Sequence, residues 1–190
     1  METLLSVAIG IGLAAACGFR VFVPLLILNL AALSGHLTLP EGFAWIGSTY
    51  ATLSFTIAML LEITGYYIPW IDHALDSIAA PASVIAGTIT TAALAADLSP
   101  LLKWTTAIIA GGGMAGLVQA STIGLRAKTS LATGGTGNPI FSTFELGGSI
   151  VTSLLAIFIP IVCLILIFLF FIWVARKTGK LLFRRKTENT

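Results

Sequence analysis

Residues 14–24 read Ala14-Ala15-Ala16-Cys17-Gly18-Phe19-Arg20-Val21-Phe22-Val23-Pro24, a guanidinium set between a glycine and a proline in an otherwise apolar run. The run extends on both sides, over residues 4–33. That is too long for one untilted crossing of a hydrocarbon core, for which about 20 residues suffice as a helix. The Gly18-Phe19-Arg20 interruption, with Pro24 one turn later, predicts a broken helix or two half-helices. An arginine at membrane depth costs about 2.5–3.5 kcal/mol on insertion scales, so Arg20 must meet a cavity, a carboxylate or the free carbonyls of a helix break. Two readings follow for it: an anion site or gate, or a structural clamp tying the break to a neighbouring helix.

The rest of the chain agrees with a membrane setting. Of 190 residues, 57% are apolar and 9% charged, where a soluble domain carries about 25% charged residues. This composition excludes a disordered chain, a nucleic-acid-binding domain and a disulfide-stapled secreted module. It predicts an all-α, polytopic transmembrane helical bundle with about five spans. Cys17 and Cys163 each lie inside an apolar run and read as small buried hydrophobes. The string Ala14-Ala15-Ala16-Cys17-Gly18 imitates a lipoprotein cleavage site. The stretch Met1-Glu2-Thr3 has no basic residue, however, and the apolar run continues past the cysteine, so the N-terminus is expected to stay in the mature protein.

A second run covers residues 43–61 and ends at Glu62. Residues 63–80 differ in texture. Tyr66, Tyr67 and Trp70 read as interfacial anchors. Asp72 and Asp76 share one helical face while Ile71, Leu75 and Ile78 share another, which predicts a short amphipathic helix lying in the interface. A third run, 81–96, closes at the turn Asp97-Leu98-Ser99-Pro100. The fourth, 101–120, carries Gly111-Gly112-Gly113 and the Gly112/Gly116 spacing that lets helices approach closely, hence an expected homo-oligomer contact. Residues 121–138 read as the longest polar connection. The last run, 139–174, would be about 54 Å long if wholly helical at 1.5 Å per residue, so it must tilt, kink at Pro160 or begin outside the core.

The predicted organisation is one transmembrane domain, 1–175, and a basic tail, 176–190. Arg176, Lys177, Lys180, Arg184, Arg185 and Lys186 hold six of the ten positive charges, which places the C-terminus in the cytoplasm. A five-span count then leaves Arg126 and Lys128 on the far side, against the same rule.

Glu145 is the natural counter-charge for Arg20. On a helix beginning at Pro139, Ser142, Glu145, Ser149, Thr152 and Ser153 fall within one arc of about 100°. The second run groups Ser48, Thr49, Thr52, Thr56 and Glu62, and the third groups Ser83, Thr90 and Thr91. Such stripes either line a hydrated path or make interhelical hydrogen bonds worth about 0.6 kcal/mol each. Gly134-Gly135-Thr136-Gly137-Asn138-Pro139 joins a glycine loop to a helix start, with Asn138 suited to the N-cap, Pro139 to the first helical position and Arg126 within reach. That junction is either a plain helix start or an anion-binding loop built from Gly134, Gly135, Gly137, Asn138 and Arg126. It lacks the Gly-Lys-Ser/Thr ending of a P-loop. Glu62, Asp72 and Asp76 are the candidate oxygen ligands for a metal, but their spacing matches no metal loop, and a solvated helix face is the favoured reading. His73 has no partnered nucleophile and His36 reads as a loop residue, so neither an enzyme nor a cofactor is expected. Gly18-Phe19-Arg20 and Gly137-Asn138-Pro139 also echo one another, each followed by a Phe and an apolar helix, as the discontinuous helices of inverted repeats do.

Three blocks carry a family resemblance: Gly18-Phe19-Arg20-Val21-Phe22-Val23-Pro24; Leu61-Glu62 followed by Ile68-Pro69-Trp70-Ile71-Asp72, Asp76 and Pro81; and Thr133-Gly134-Gly135, Gly137-Asn138-Pro139, Ser142 and Glu145. Together they resemble the small bacterial membrane proteins of domain of unknown function family 4126. The resemblance implies a helical protein of the bacterial inner membrane and implies no reaction. The functional expectation is a transporter or channel for a small ion or polar solute, with Arg20, Glu145, Ser142, Ser149, Thr52, Thr56 and Glu62 at its site. The alternative is a membrane scaffold or lipid-head-group-binding protein. The expected partners are the lipid bilayer, the solute and a second copy of the chain, and not nucleic acid.

Overall fold

A computed structural model describes the backbone of residues 2–133 and 137–188, with side chains described except at 2, 69, 70, 72, 73, 132, 175 and 177–188. Its order is α1 (Glu2–Cys17), α2 (Phe22–Leu33), a 3-10 turn (Glu41–Gly47), α3 (Thr49–Gly65), α4 (Pro69–Leu94), α5 (Pro100–Thr106), a π-helical stretch (Ala107–Gly112), α6 (Gly113–Thr133), α7 (Asn138–Phe158) and α8 (Pro160–Glu188). Among the described residues there is no strand.

The break at Arg20 is real, and it folds the first run into a hairpin. The chain leaves α1 by a turn in which Gly18, Phe19 and Arg20 donate to the carbonyls of Ala15 and Ala16. Gly18 is required there, because a Cβ would stand 2.5 Å from Val118 Cβ and 2.6 Å from the Ala115 carbonyl. The direction of each arm follows from its contacts. Along α1, Thr3 bonds Asp97, Gly10 meets Thr91 and Ala14 meets Gly87, so α1 runs antiparallel to α4. Along α2, Val21 and Phe22 meet Glu62 whereas Asn29 meets Ser48 and Thr52, so α2 runs antiparallel to α3. Both ends of the hairpin therefore lie at one end of the bundle, shared with the 95–99 turn. Its arms, 16 and 12 residues, reach only about 24 and 18 Å at 1.5 Å per residue, short of a full crossing.

Among the described residues, three helical segments are long and apolar enough to cross a membrane: Ala74–Leu94, Pro100–Leu131 and Asn138–Phe158. The 3-10 turn and α3, bent by 59°, make a fourth if counted together. The amphipathic stretch at 71–78 is no separate interfacial helix; it forms the first turns of α4, which runs on through Pro81. The polar connection is also shorter than expected, since α6 stays helical to Thr133 and the link is only 134–137. Continuous hydrogen bonding is the cheaper option at a membrane boundary, where loop backbone finds few partners.

The last run breaks at Pro160, as its length requires, and it reverses. Cys163 Sγ lies 3.6 Å from the Thr152 carbonyl oxygen, although eleven residues of straight helix would separate them by about 16 Å. Farther along, Phe170 shares a cavity wall with Phe141 and Phe144. So α8 returns antiparallel along α7.

The glycines of the fourth run are used within the chain. Gly111 faces Thr91 and the Gly87 carbonyl, Gly112 faces Thr88, and Gly116 faces Val84, so α4 seats against the π-helical stretch and α6. Polarity is arranged inside out. Arg20, Asn29, Glu62, Gln119, Arg126, Glu145, Ser149 and Ser153 are buried, whereas Leu53, Leu61, Leu101, Ile109, Phe144 and Phe168 are more than half exposed.

Candidate functional site

The free N–H groups at the start of α2 begin the site. Four donors at a helix N-terminus lack intrahelical acceptors, and at membrane depth water does not supply them. Pro24 removes one, having no N–H. Glu62, at the last turn of α3, takes two more: Oε1 accepts from Val21 N at 2.8 Å and Oε2 from Phe22 N at 3.1 Å. The carboxylate is a cap supplied by another helix, complementary to the positive end of the α2 dipole.

Arg20 projects from the hairpin tip into the space between α3, α6 and α7, with 1% of its surface exposed. Its Nη2 donates to the Ser142 carbonyl at 3.2 Å and to Ser142 Oγ, and stands 3.4 Å from Glu145 Oε2. The same Glu145 oxygen accepts from Arg126 Nη2 on α6. Arg126 Nη1 in turn donates to Asp76 Oδ1 on α4 at 2.7 Å. Both guanidiniums lie over the ring of Tyr66, their central carbons 3.9 Å and 4.3 Å from its centroid, where the π-face attracts cations. The level of the cluster is set by helix ends: Asp76 and Glu145 lie seven residues from the starts of α4 and α7, and Arg126 seven from the end of α6. The ring of charge therefore sits about 10 Å inside that end of the bundle at 1.5 Å per residue.

The expected site residues separate into two groups. Arg20, Glu62, Ser142 and Glu145 converge, and Ser149 anchors the hairpin beside them, its Oγ donating to the Ala16 carbonyl at 3.1 Å. Thr52 and Thr56 do not join them. Thr52 Oγ1 donates to Asn29 Oδ1 at 2.8 Å and Thr56 back-bonds to the Thr52 carbonyl, toward the other end of α2. The three polar stripes thus face different partners rather than one path, and Ser83 and Thr90 bond carbonyls of their own helix.

At the glycine loop the structure changes only the cap assignment. Gly134 and Gly135 lie outside the described residues. The N-cap of α7 is Gly137, whose N–H donates to Thr133 Oγ1, and Asn138 is the first helical residue, its Oδ1 accepting from Ser130. Arg126 is held in the ion cluster. For the metal candidates, Asp76 pairs with Arg126 and Glu62 caps α2, while the side chain of Asp72 lies outside those described. Among the described residues no three His, Cys, Asp or Glu side chains converge to hold a metal. Tyr66, expected as an interfacial anchor, is buried at the centre of the cluster. Its nearness to Glu62 on one helix end was the available signal. Asn29, which joins α2 to the Ile46 and Ser48 carbonyls, was likewise unread.

These features define a polytopic helical membrane protein whose buried ion cluster is closed by an inserted helical hairpin. The chain belongs to the family of the domain of unknown function DUF4126, whose model matches residues 7–178. No curated protein and no solved structure matches it.

Proposed function

We propose that this protein moves a small ion or polar solute across a bacterial inner membrane, and that the Arg20–Glu145–Arg126 cluster is the site through which it passes. The observation that carries this reading is the hairpin itself. A chain that needed only to cross would not leave a helix break, two guanidiniums and two buried carboxylates at membrane depth, where each charge is costly. Unsatisfied polarity supports it further: among the described residues, Arg20 Nε and Nη1 and Glu145 Oε1 are buried with no hydrogen-bond partner, groups that a solute can engage.

Orientation follows in the same reading. Because α8 reverses, the end of α6, the start of α7 and the last turns of α8 fall at one end of the bundle, together with Lys128. Among the basic residues whose side chains are described, Arg20, Arg126, Lys128 and Arg176 lie toward that end and Lys103 toward the opposite one. The positive-inside rule then places the cluster on the cytoplasmic half, the C-terminus in the cytoplasm and the N-terminus outside.

The test is a flux assay in proteoliposomes with panels of monovalent cations, divalent cations and small anions. Flux through the native protein that Arg20→Ala abolishes, with unchanged insertion and thermal stability, is the expected outcome. Absence of flux across the panel from folded protein would leave Arg20 as a clamp and overturn the proposal.

A further inference from the structure

Beside the hairpin tip, two cavities lie end to end between α6, α7 and α8. The deeper one, about 220 Å³, reaches Thr152, Leu155 and Cys163 near the Pro160 break. The other, about 130 Å³, reaches Ser121, Leu125 and Phe141. They share Phe19, Val118 and Phe170 as walls, so together they form one slot that follows the helices. Ala15 of α1 and Val118 of α6 are its buried back, whereas Phe144, Val151 and Leu166 at its rim are exposed. The slot therefore opens sideways, onto the apolar surface that faces lipid.

Length, polarity and charge fit it to one kind of occupant. From Phe141 to Leu155 it extends about 21 Å along α7 at 1.5 Å per residue, against about 15 Å of hydrocarbon in one leaflet. Its deep end is apolar apart from Thr152 and the Cys163 thiol, while Ser121, Thr122 and Glu145 lie toward the other end. Glu145 is already paired with Arg20 and Arg126. Apolar cavities stay dry, and an empty slot forfeits the dispersion contacts of its walls. A hydrocarbon chain restores those contacts, and the bilayer supplies it. Charge marks where its head belongs. Val118, Ser121, Thr122 and Leu125 lie on one stripe of α6, and Lys128, which is exposed, continues that stripe toward the end of the helix.

We propose that the slot holds one acyl chain of an anionic phospholipid, its tail end beside Cys163 and its head group at Lys128. The seated chain packs against Phe19, the neighbour of Arg20, and so braces the hairpin tip from the lipid side. This lipid site does not depend on the ion cluster passing a solute.

Photolabelling of the full chain in phosphatidylcholine liposomes tests it, with phosphatidylglycerol carrying a diazirine near the end of one acyl chain as the probe. The expected result is adducts concentrated on peptides holding Leu155, Cys163 and Leu166, displaced by unlabelled phosphatidylglycerol and not by added phosphatidylcholine. Lys128→Ala should lower this labelling about fivefold, the effect of one basic side chain at a charged membrane surface. Val151→Trp, which crowds the rim, should abolish it, whereas Ile109→Trp, at an exposed position of the π-helical stretch, should leave it unchanged. Adducts spread over exposed positions such as Leu53 and Ile109, as bulk lipid would give, overturn the proposal. So does equal labelling by the phosphatidylcholine analogue, or displacement by a free fatty acid and not by phosphatidylglycerol. Should Val151→Trp fail to insert, the exposed Lys128→Ala decides, and unchanged labelling there removes the anionic lipid. A disulfide formed between two copies of Leu166→Cys, with no adduct in the slot, shows that a second chain covers it and overturns the proposal as well.

Discussion

Glu62 and Arg126 make opposite contributions to the same cluster, and substitution should distinguish them. Glu62 satisfies two main-chain donors of α2, and an orphaned buried donor costs about 1–3 kcal/mol. Glu62→Ala is therefore expected to lower thermal stability in detergent, with Glu62→Gln retaining part of it because the amide oxygen still accepts one bond. Equal stability of Glu62→Ala and native protein would show that the α2 terminus is served otherwise. Arg126 bridges Glu145 and Asp76 from α6. Removing one member of a buried pair typically costs about 3–5 kcal/mol, because the remaining charge is stranded. Arg126→Ala should be strongly destabilised, and Arg126→Ala combined with Glu145→Ala less so than the sum of the single changes. A double-mutant cycle in a thermal-unfolding assay measures this, and additivity would contradict the pairing.

At the scale of elements, two close approaches hold the architecture. The hairpin tip enters because Gly18 lets α1 end against Ala115 and Val118 of α6, and α4 seats because Gly87 and Gly111 present bare backbone to each other. A Cβ at Gly87 would stand 2.6 Å from Ala115 Cβ and 2.9 Å from the Gly111 carbonyl. Overpacking of this kind costs about 1–3 kcal/mol or more. Gly18→Val and Gly87→Val are expected to reduce the yield of folded protein, whereas Gly113→Ala and Gly124→Ala, where a Cβ meets nothing within 4 Å, should be neutral or slightly stabilising. Size-exclusion profiles of the four variants in one detergent check the contrast. Loss confined to Gly113→Ala would instead point to a contact outside the chain. The break at Arg20, the helix start near Pro139 and the kink at Pro160 were legible because proline and glycine act locally. The continuation of α4 through residues 71–80 was not, since an amphipathic turn reads the same whether it lies on an interface or begins a buried helix. Nor could the sequence say that Thr52 and Thr56 belong with Asn29, because a polar stripe reveals its face and not its partner.

For the whole molecule, the reversal of α8 sets the topology. The native cysteines are buried and unbridged, so single exposed cysteines can report sidedness against a low background. Ser99→Cys should react with an impermeant thiol reagent from outside intact cells, and Lys128→Cys and Arg176→Cys only after permeabilisation. Labelling of positions 128 and 176 from opposite sides would break the α7–α8 hairpin. The apolar runs, their breaks and the charge-poor composition determined by themselves that this is a helical membrane protein, because burial in lipid selects residue types along the chain. Which charges meet, which helix a carboxylate caps and which way the last helix runs were decided by the tertiary structure alone. Those outcomes depend on pairs of residues as far apart as Arg20 and Ser142, and no local propensity encodes such a pairing.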